Sequence, residues 1–281
     1  MHVTVNGTRL FVDIEGSGLV PDGPRMRQKP TLVLLHGGPG MDHSGFKPAF
    51  SQLADVAQIV YVDHRGNGRS DRGDPATWNL AQWGDDVRGL CDALDIHKPI
   101  VYGVSFGGFV AQSYATRHPD HPGKLVLSST AAHIDWPVMF EAFTCVGGPE
   151  AGELARQRWL YPTDESRRIY RERCFPLYTV RPQRDKQALE RAVIFDPVNQ
   201  HFATHEFQSM DFRPQLGLVR CPTLVMAGDR DPMTPMAFSE TIVEHLPSHL
   251  VRFERFADCG HGIVNDQPEK LFQVLRNFIE A

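Results

Sequence analysis

Apolar positions in this chain come in short runs. Residues 31–35, 58–62, 99–104, 124–127, 221–227 and 250–256 are each long enough for a buried strand and too short for a helix. Between them, apolar residues recur at helical spacing: Leu80, Trp83, Val87, Leu90, Cys91 and Leu94 after the capping residue Asn79, then residues 106–118, 236–245, and Leu271, Val274, Leu275 and Phe278. Strands that are apolar throughout are covered on both faces, so the pattern predicts a parallel sheet with helices on either side. The start of the chain differs. Residues 2–5 and 8–14 alternate apolar and polar around Asn6-Gly7, which predicts a tight hairpin at an antiparallel edge, and 15–30, rich in Gly, Pro and charge, predicts a surface loop. Asp266 and Glu269 around Pro268 predict a capping-box start for the last helix.

The alternation breaks between residues 132 and 214, where the helix-compatible, arginine-rich segments 153–159, 165–173 and 184–195 replace it. An insertion of this length between two sheet strands predicts a helical cap on one α/β core made of residues 1–131 and 215–281. The arginines read as a solvated outer face. Cap aromatics, Phe140 and Phe202 among them, read as the lining of a substrate pocket beneath it.

Composition narrows the classes of function. With 41% apolar residues, a net charge of -5 and no block of Lys or Arg longer than a pair, the chain lacks the electrostatic footprint of a nucleic-acid binder. No run approaches a membrane span, and the N-terminus lacks a basic start followed by an apolar core, so a cytoplasmic protein is expected. Five cysteines without metal-like spacing suit a reducing compartment. His118 and His121 have a metal-like spacing but no carboxylate or cysteine cluster around them, so no metal is expected.

Chemistry gathers at the carboxyl ends of the predicted strands. Gly103-Val104-Ser105-Phe106-Gly107 joins a strand to a helix, and a serine in so tight a turn is a candidate nucleophile presented at the helix's positive end. His36-Gly37-Gly38-Pro39-Gly40 is a turn of little bulk whose backbone N–H groups can approach a ligand. Asp63 and Arg65 follow another strand and read as partners that order a loop. Asp231, biased away from helix by Pro232, lies on the loop after 221–227, and His261 lies between two glycines after the last strand.

These motifs, in this order, resemble the α/β-hydrolase family, and within it the proline iminopeptidase-like serine hydrolases. The matching stretches are 36–40, Asp63-His64-Arg65-Gly66-Asn67-Gly68-Arg69-Ser70, 103–108, Gly228-Asp229-Arg230-Asp231 and Gly260-His261, and the likeness covers nearly the whole chain, least in the cap. The resemblance implies a mostly parallel eight-stranded sheet with helices on both faces and an inserted helical cap. It also implies a triad in the order Ser105, Asp231, His261, with Asp229 and Asp135 as less favoured acids. A serine hydroxyl needs a base to take its proton, a histidine needs a carboxylate to fix its tautomer, and the oxyanion needs two donors, here the N–H groups of Gly38 and Phe106. His36 is expected only to order its turn. The expected function is a serine hydrolase, without a cofactor, that acts on a small ester, lactone or amide, and its partner is a small-molecule or short-peptide substrate. Alternatives are a proline iminopeptidase, a lyase or carbon–carbon hydrolase on the same triad, and a non-catalytic receptor. The chain carries Phe106 and Gly108 where the iminopeptidases usually have Trp and Ser. Its segment 196–202 also lacks their amine-binding glutamate, for which Glu206 is the nearest substitute.

Overall fold

The computed structural model describes all 281 residues, Met1–Ala281. Asn6 and Gly7 take positive φ (46° and 76°) and close the two-residue turn between β1 (His2–Val5) and β2 (Thr8–Glu15), as the Asn-Gly pair predicts. The expected loop at 15–30 instead holds an antiparallel ribbon, β3 (Leu19–Asp22) and β4 (Arg25–Gln28). Almost every side chain in the ribbon is exposed, so no buried face left a periodic signal to read.

The strand–helix alternation is present as expected: β5 (Thr31–Leu35), β6 (Gln58–Val62), α1 (Leu80–Ala93), β7 (Ile100–Val104), α2 (Phe106–Arg117) and β8 (Lys124–Ser128). Next come α3 (Trp136–Gly147), α4 (Pro149–Leu160), α5 (Asp164–Arg173), the single turn α6 (Ala188–Arg191) and α7 (Asp196–His205). The chain then returns to the sheet with β9 (Thr223–Gly228), α8 (Met236–His245), β10 (Val251–Phe256), α9 (Ile263–Asp266) and α10 (Pro268–Glu280). The strands form an eight-stranded sheet in the order β1-β2-β6-β5-β7-β8-β9-β10, parallel except for β1 and β2.

Period-two alternation buries both faces. Leu32 and Leu34 of β5 join one core with Phe50, Tyr102 and Leu275, while Val33 and Leu35 join the other with Trp83, Phe106 and Val110. β5 leads to β6 on one side, and the chain then crosses back to β7 on the other. The strand order therefore reverses beside β5, and ligands of open α/β sheets bind at the carboxyl ends of strands flanking such a reversal.

The segment between β8 and β9 is helical: α4 and α5 cover the arginine-rich stretches 153–159 and 165–173, whereas α3 and α7 lie outside those stretches and 184–195 yields only one turn. Asp135 starts α3 by accepting the Val138 N–H (3.2 Å), and Pro197 sits in the first turn of α7. The two ends of the segment meet. Phe212 N–H donates to Ala132 O (2.8 Å), and His133 bridges Asp211. The capping box expected at Asp266 is absent, because that carboxylate is fully buried and accepts the N–H groups of Gly260 (2.8 Å), Val180 (3.1 Å) and Arg181 (3.2 Å).

Candidate active site

Ser105 has φ 54° and ψ -120°, a strained conformation for a residue with a side chain, costing about 1–3 kcal/mol. The surroundings hold it there. Ser105 N–H donates to Ser128 O (3.0 Å), and Ser105 O accepts from Gly108 N–H (2.9 Å) and Thr130 Oγ1 (2.8 Å). A Cβ on Gly103 would stand 2.3 Å from Gly107 O, and one on Gly107 would stand 2.0 Å from Leu35 O. Only glycine lets strand and helix pack this closely, which explains both glycines of the Gly-x-Ser-x-Gly motif.

Asp231 and His261, 30 residues apart in sequence, are joined by His261 Nδ1 to Asp231 Oδ2 at 2.7 Å, with the carboxylate fully buried. A carboxylate only accepts, so Nδ1 carries the proton and Nε2 is left to act as a base. Asp231 Oδ1 also takes the N–H groups of Met233 (2.8 Å) and Thr234 (2.9 Å), and Oδ2 takes the Thr234 hydroxyl (2.7 Å). The His261 loop is equally fixed. Gly260 N–H reaches Asp266, Gly262 N–H donates to Tyr178 O (3.0 Å), and the Tyr178 ring meets the imidazole edge-on at 5.1 Å. Asp229 is exposed and accepts Cys259 N–H (3.2 Å), and Asp135 caps α3, so neither less favoured acid pairs with His261. Ser105 Oγ and His261 are not hydrogen-bonded, so the closed link of the three is the one between acid and base.

The glycine loop after β5 crosses above Ser105: a Cβ on Gly37 would lie 3.4 Å from Ser105 Cβ. Gly38 has φ 122°, open to glycine and to few other residues, and neither its N–H nor that of Phe106 is taken by a turn, cap or side-chain acceptor. Behind the loop, His36 Nδ1–H donates to Gly37 O (2.7 Å) and His36 Nε2 accepts His64 N–H (3.3 Å), so His36 orders the turn as expected. Burial lowers the pKa of His36 and lowers that of His64 well below the ordinary value, which keeps the pair neutral. From outside, Gly40 N–H donates to Asn67 Oδ1 (2.6 Å), Gly40 O accepts Phe195 N–H (2.7 Å), and Asn199 Nδ2–H donates to Pro39 O (3.1 Å).

Residues 27–268 match the family described as serine aminopeptidase, S33. The chain belongs to this family. RutD of Caulobacter vibrioides, a provisionally named carbamate hydrolase, is 29% identical over 260 residues, 89% of this chain and 90% of its own. A 3-oxoadipate enol-lactonase of Acinetobacter baylyi is 26% identical over 271 residues, 91% of this chain and 95% of its own. The crystal structure of a proline iminopeptidase from Mycobacterium smegmatis superposes with a TM-score of 0.76 at 19% identity, covering 100% of this chain and 97% of that one. This S33 protein is thus an α/β-hydrolase enzyme, and its fold is the one the motifs imply.

The other residues singled out in the S33 sequence are scattered. Phe202 packs on Phe106, with ring centroids 5.2 Å apart, and so reaches the turn that carries Ser105. Phe140 stacks on Trp136 beneath the Arg156 guanidinium, within the helical segment itself. Glu206 is half-buried and accepts Leu80 N–H (2.6 Å) at the start of α1. Arg65 is spent on a buried bidentate pair with Asp86 (2.7 and 2.8 Å), and Asp63 on His43 and Arg69 N–H, so neither is free for a charged ligand. His118 bonds Asp85, and His121 bonds the Tyr114 hydroxyl. No group of three His, Cys, Asp or Glu side chains gathers to hold a metal, and no helix is long and apolar enough to cross a membrane.

Sequence reasoning missed Thr234, Tyr178 and Asn199. For Thr234 a local signal existed, since a hydroxyl residue three positions after an aspartate on a loop is placed to bond it. Tyr178 and Asn199 come from the helical segment, and no spacing in the chain reports their contacts.

Proposed function

We propose that this S33 hydrolase cleaves small esters, lactones or amides through an acyl-enzyme on Ser105. The observation that carries the reading is the 2.7 Å bond from His261 Nδ1 to Asp231. As Ser105 Oγ attacks the carbonyl carbon, His261 Nε2 takes its proton, and Asp231 stabilises the imidazolium. The tetrahedral oxyanion lies between the Gly38 and Phe106 N–H groups, each worth about 3 kcal/mol. Collapse of this intermediate expels the leaving group, protonated by His261. Water then gives a proton to His261, attacks the acyl carbon, and releases the acid with Ser105 restored.

In this reading the helical segment 132–214 is the cap, and Phe202 borders the acyl site from above. Relatives named as a carbamate hydrolase, an enol-lactonase and a proline iminopeptidase support a carbonyl electrophile of this class. A fluorophosphonate probe followed by a panel of p-nitrophenyl esters, homoserine lactones and prolyl anilide tests the proposal. A protein neither labelled by the probe nor active on any member of the panel rejects it.

A second reading, removal of an N-terminal proline, rests on Glu206. Burial raises this carboxyl above its ordinary pKa, and no cation pairs with it, which is how a receptor for a substrate ammonium stands before binding. If prolyl anilide is cleaved and Glu206→Gln removes that activity while sparing esters, the aminopeptidase reading holds. Equal loss on all substrates removes Glu206 from amine recognition.

A further inference from the structure

Arg158 differs from the arginines around it. The side chains of Arg156, Arg168, Arg171 and Arg173 are 50–68% exposed, and each has a carboxylate within 4.0 Å. Arg158 is only 7% exposed, and no carboxylate pairs with it. Its single polar bond runs from Nη2–H to Asn199 Oδ1 (3.0 Å), and its plane lies 4.3 Å over the Trp159 ring. One of five guanidinium donors is therefore used, on a charge largely withdrawn from water, and such a charge is costly unless an anion meets it. Burial holds its pKa below the ordinary value, and the neighbouring cations Arg167 and Arg171 push the same way.

Where Arg158 reaches the surface it lines a groove of about 390 Å³ between the α4–α5 turn and α7, together with Arg167, Gln200, His201 and Thr204. No Asp or Glu lines this groove, and neither do Ser105, Asp231 or His261. We propose that the groove is a carboxylate-binding subsite, with Arg158 as the charged partner and Arg167, itself paired with the exposed Asp164 (2.5 Å), as a second guanidinium lining it. Asn199 ties the subsite to the chemistry, because it accepts from Arg158 and donates to Pro39 O beside Gly38. The carboxylate belongs either to the distal end of the substrate or to a separate small acid. The binding claim stands apart from the catalytic roles proposed above, and only its link to turnover rests on them.

The test uses glutarate as probe, read by thermal unfolding of the whole protein against sodium chloride of equal ionic strength. Glutarate raises the Tm of wild type and of Ser105→Ala by the same few degrees, raises that of Arg167→Gln by less, and leaves Arg158→Gln unmoved. If Arg158→Gln does not fold, Arg167→Gln decides, since that side chain is a quarter exposed and its only ionic partner is the exposed Asp164. A wild-type shift no larger than that of sodium chloride, or one fully kept in the arginine variants, overturns the subsite.

Kinetics then separate the two sources. If the carboxylate is part of the substrate, the preference of wild type for the p-nitrophenyl monoester of glutarate over p-nitrophenyl butyrate falls at least tenfold in Arg167→Gln or Arg158→Gln, and free glutarate competes with the monoester. If it is a separate acid, glutarate changes kcat for butyrate without competing, and the arginine variants lose that response. Wild type that turns over neither ester but keeps the glutarate shift rejects the catalytic roles and upholds the subsite.

Discussion

The rim of the sheet and the helical segment above it treat charge in opposite ways. On the rim the buried ionic groups are tied down by the chain: Asp231 by two N–H groups, a hydroxyl and His261, Asp266 by three N–H groups, and Arg65 and Asp86 by one another. Groups held this way cannot reorient, which is the condition for stabilising charge at one fixed point during a reaction. In the helical segment most charges sit in exposed pairs, worth about 0–1 kcal/mol each, while Arg158 and Glu206 are withdrawn from water and meet no opposite charge. On the proposed mechanism the rim acts on a reacting carbonyl, and the segment above it keeps charge in reserve for whatever carries that carbonyl.

The contrast breaks most plainly at Ser105. Ser105→Ala is expected to lower kcat on its best ester by about 10⁵–10⁶-fold and to abolish fluorophosphonate labelling, and labelling that survives would move the chemistry elsewhere. Asp231→Asn leaves the hydrogen-bonding shape but inverts the tautomer of His261, so steady-state assays at neutral pH should show kcat down about 10⁴-fold. Removing one half of the buried pair, as in Asp86→Ala, strands Arg65 and costs about 3–5 kcal/mol in urea unfolding. Arg168→Ala, in an exposed pair on α5, should stay within about 0.5 kcal/mol, and equal losses at the two sites would erase the distinction drawn here.

Smaller effects sharpen the contrast. Thr234→Val deletes one hydrogen bond to the Asp231 carboxylate, so kcat should fall about tenfold with KM little changed, and Thr234→Ser should restore it. Glu206→Gln tests the charge reserve through pH. Burial raises the folded-state pKa of Glu206 above its unfolded value, so wild-type stability relative to Glu206→Gln is full below the unfolded pKa and declines as pH rises through the folded one. Paired urea titrations at acid and neutral pH should reveal that decline, and a rise across the same window would assign Glu206 an unseen cation.

Much of this architecture is written in the order of residues. A strand covered on both faces must be apolar along its whole length, so residues 31–35, 58–62 and 99–104 declared themselves without neighbours. A serine forced to positive φ between a strand and a helix needs glycine on either side, so the Ser105 turn is legible as Gly-x-Ser-x-Gly, and the chain order of Ser105, Asp231 and His261 follows the strands. Where burial leaves no periodic trace, the same reading fails. The exposed ribbon of β3 and β4 passes for loop, and Asp266 passes for a helix cap although it fastens the His261 loop.

Tertiary structure alone decided how the arginines divide. In sequence Arg156, Arg158 and Arg168 are equivalent members of a basic, helical stretch, and all three read as a solvated face. The fold withdraws one of them, Arg158 on α4, from water, hands it to Asn199 of α7 and leaves it without a counter-charge. Burial and pairing depend on which elements meet across the fold, a long-range property that local composition does not encode. The Ser105 turn, although held by β8 and the loop after β5, demands glycine at 103 and 107, and so left a local mark that could be read.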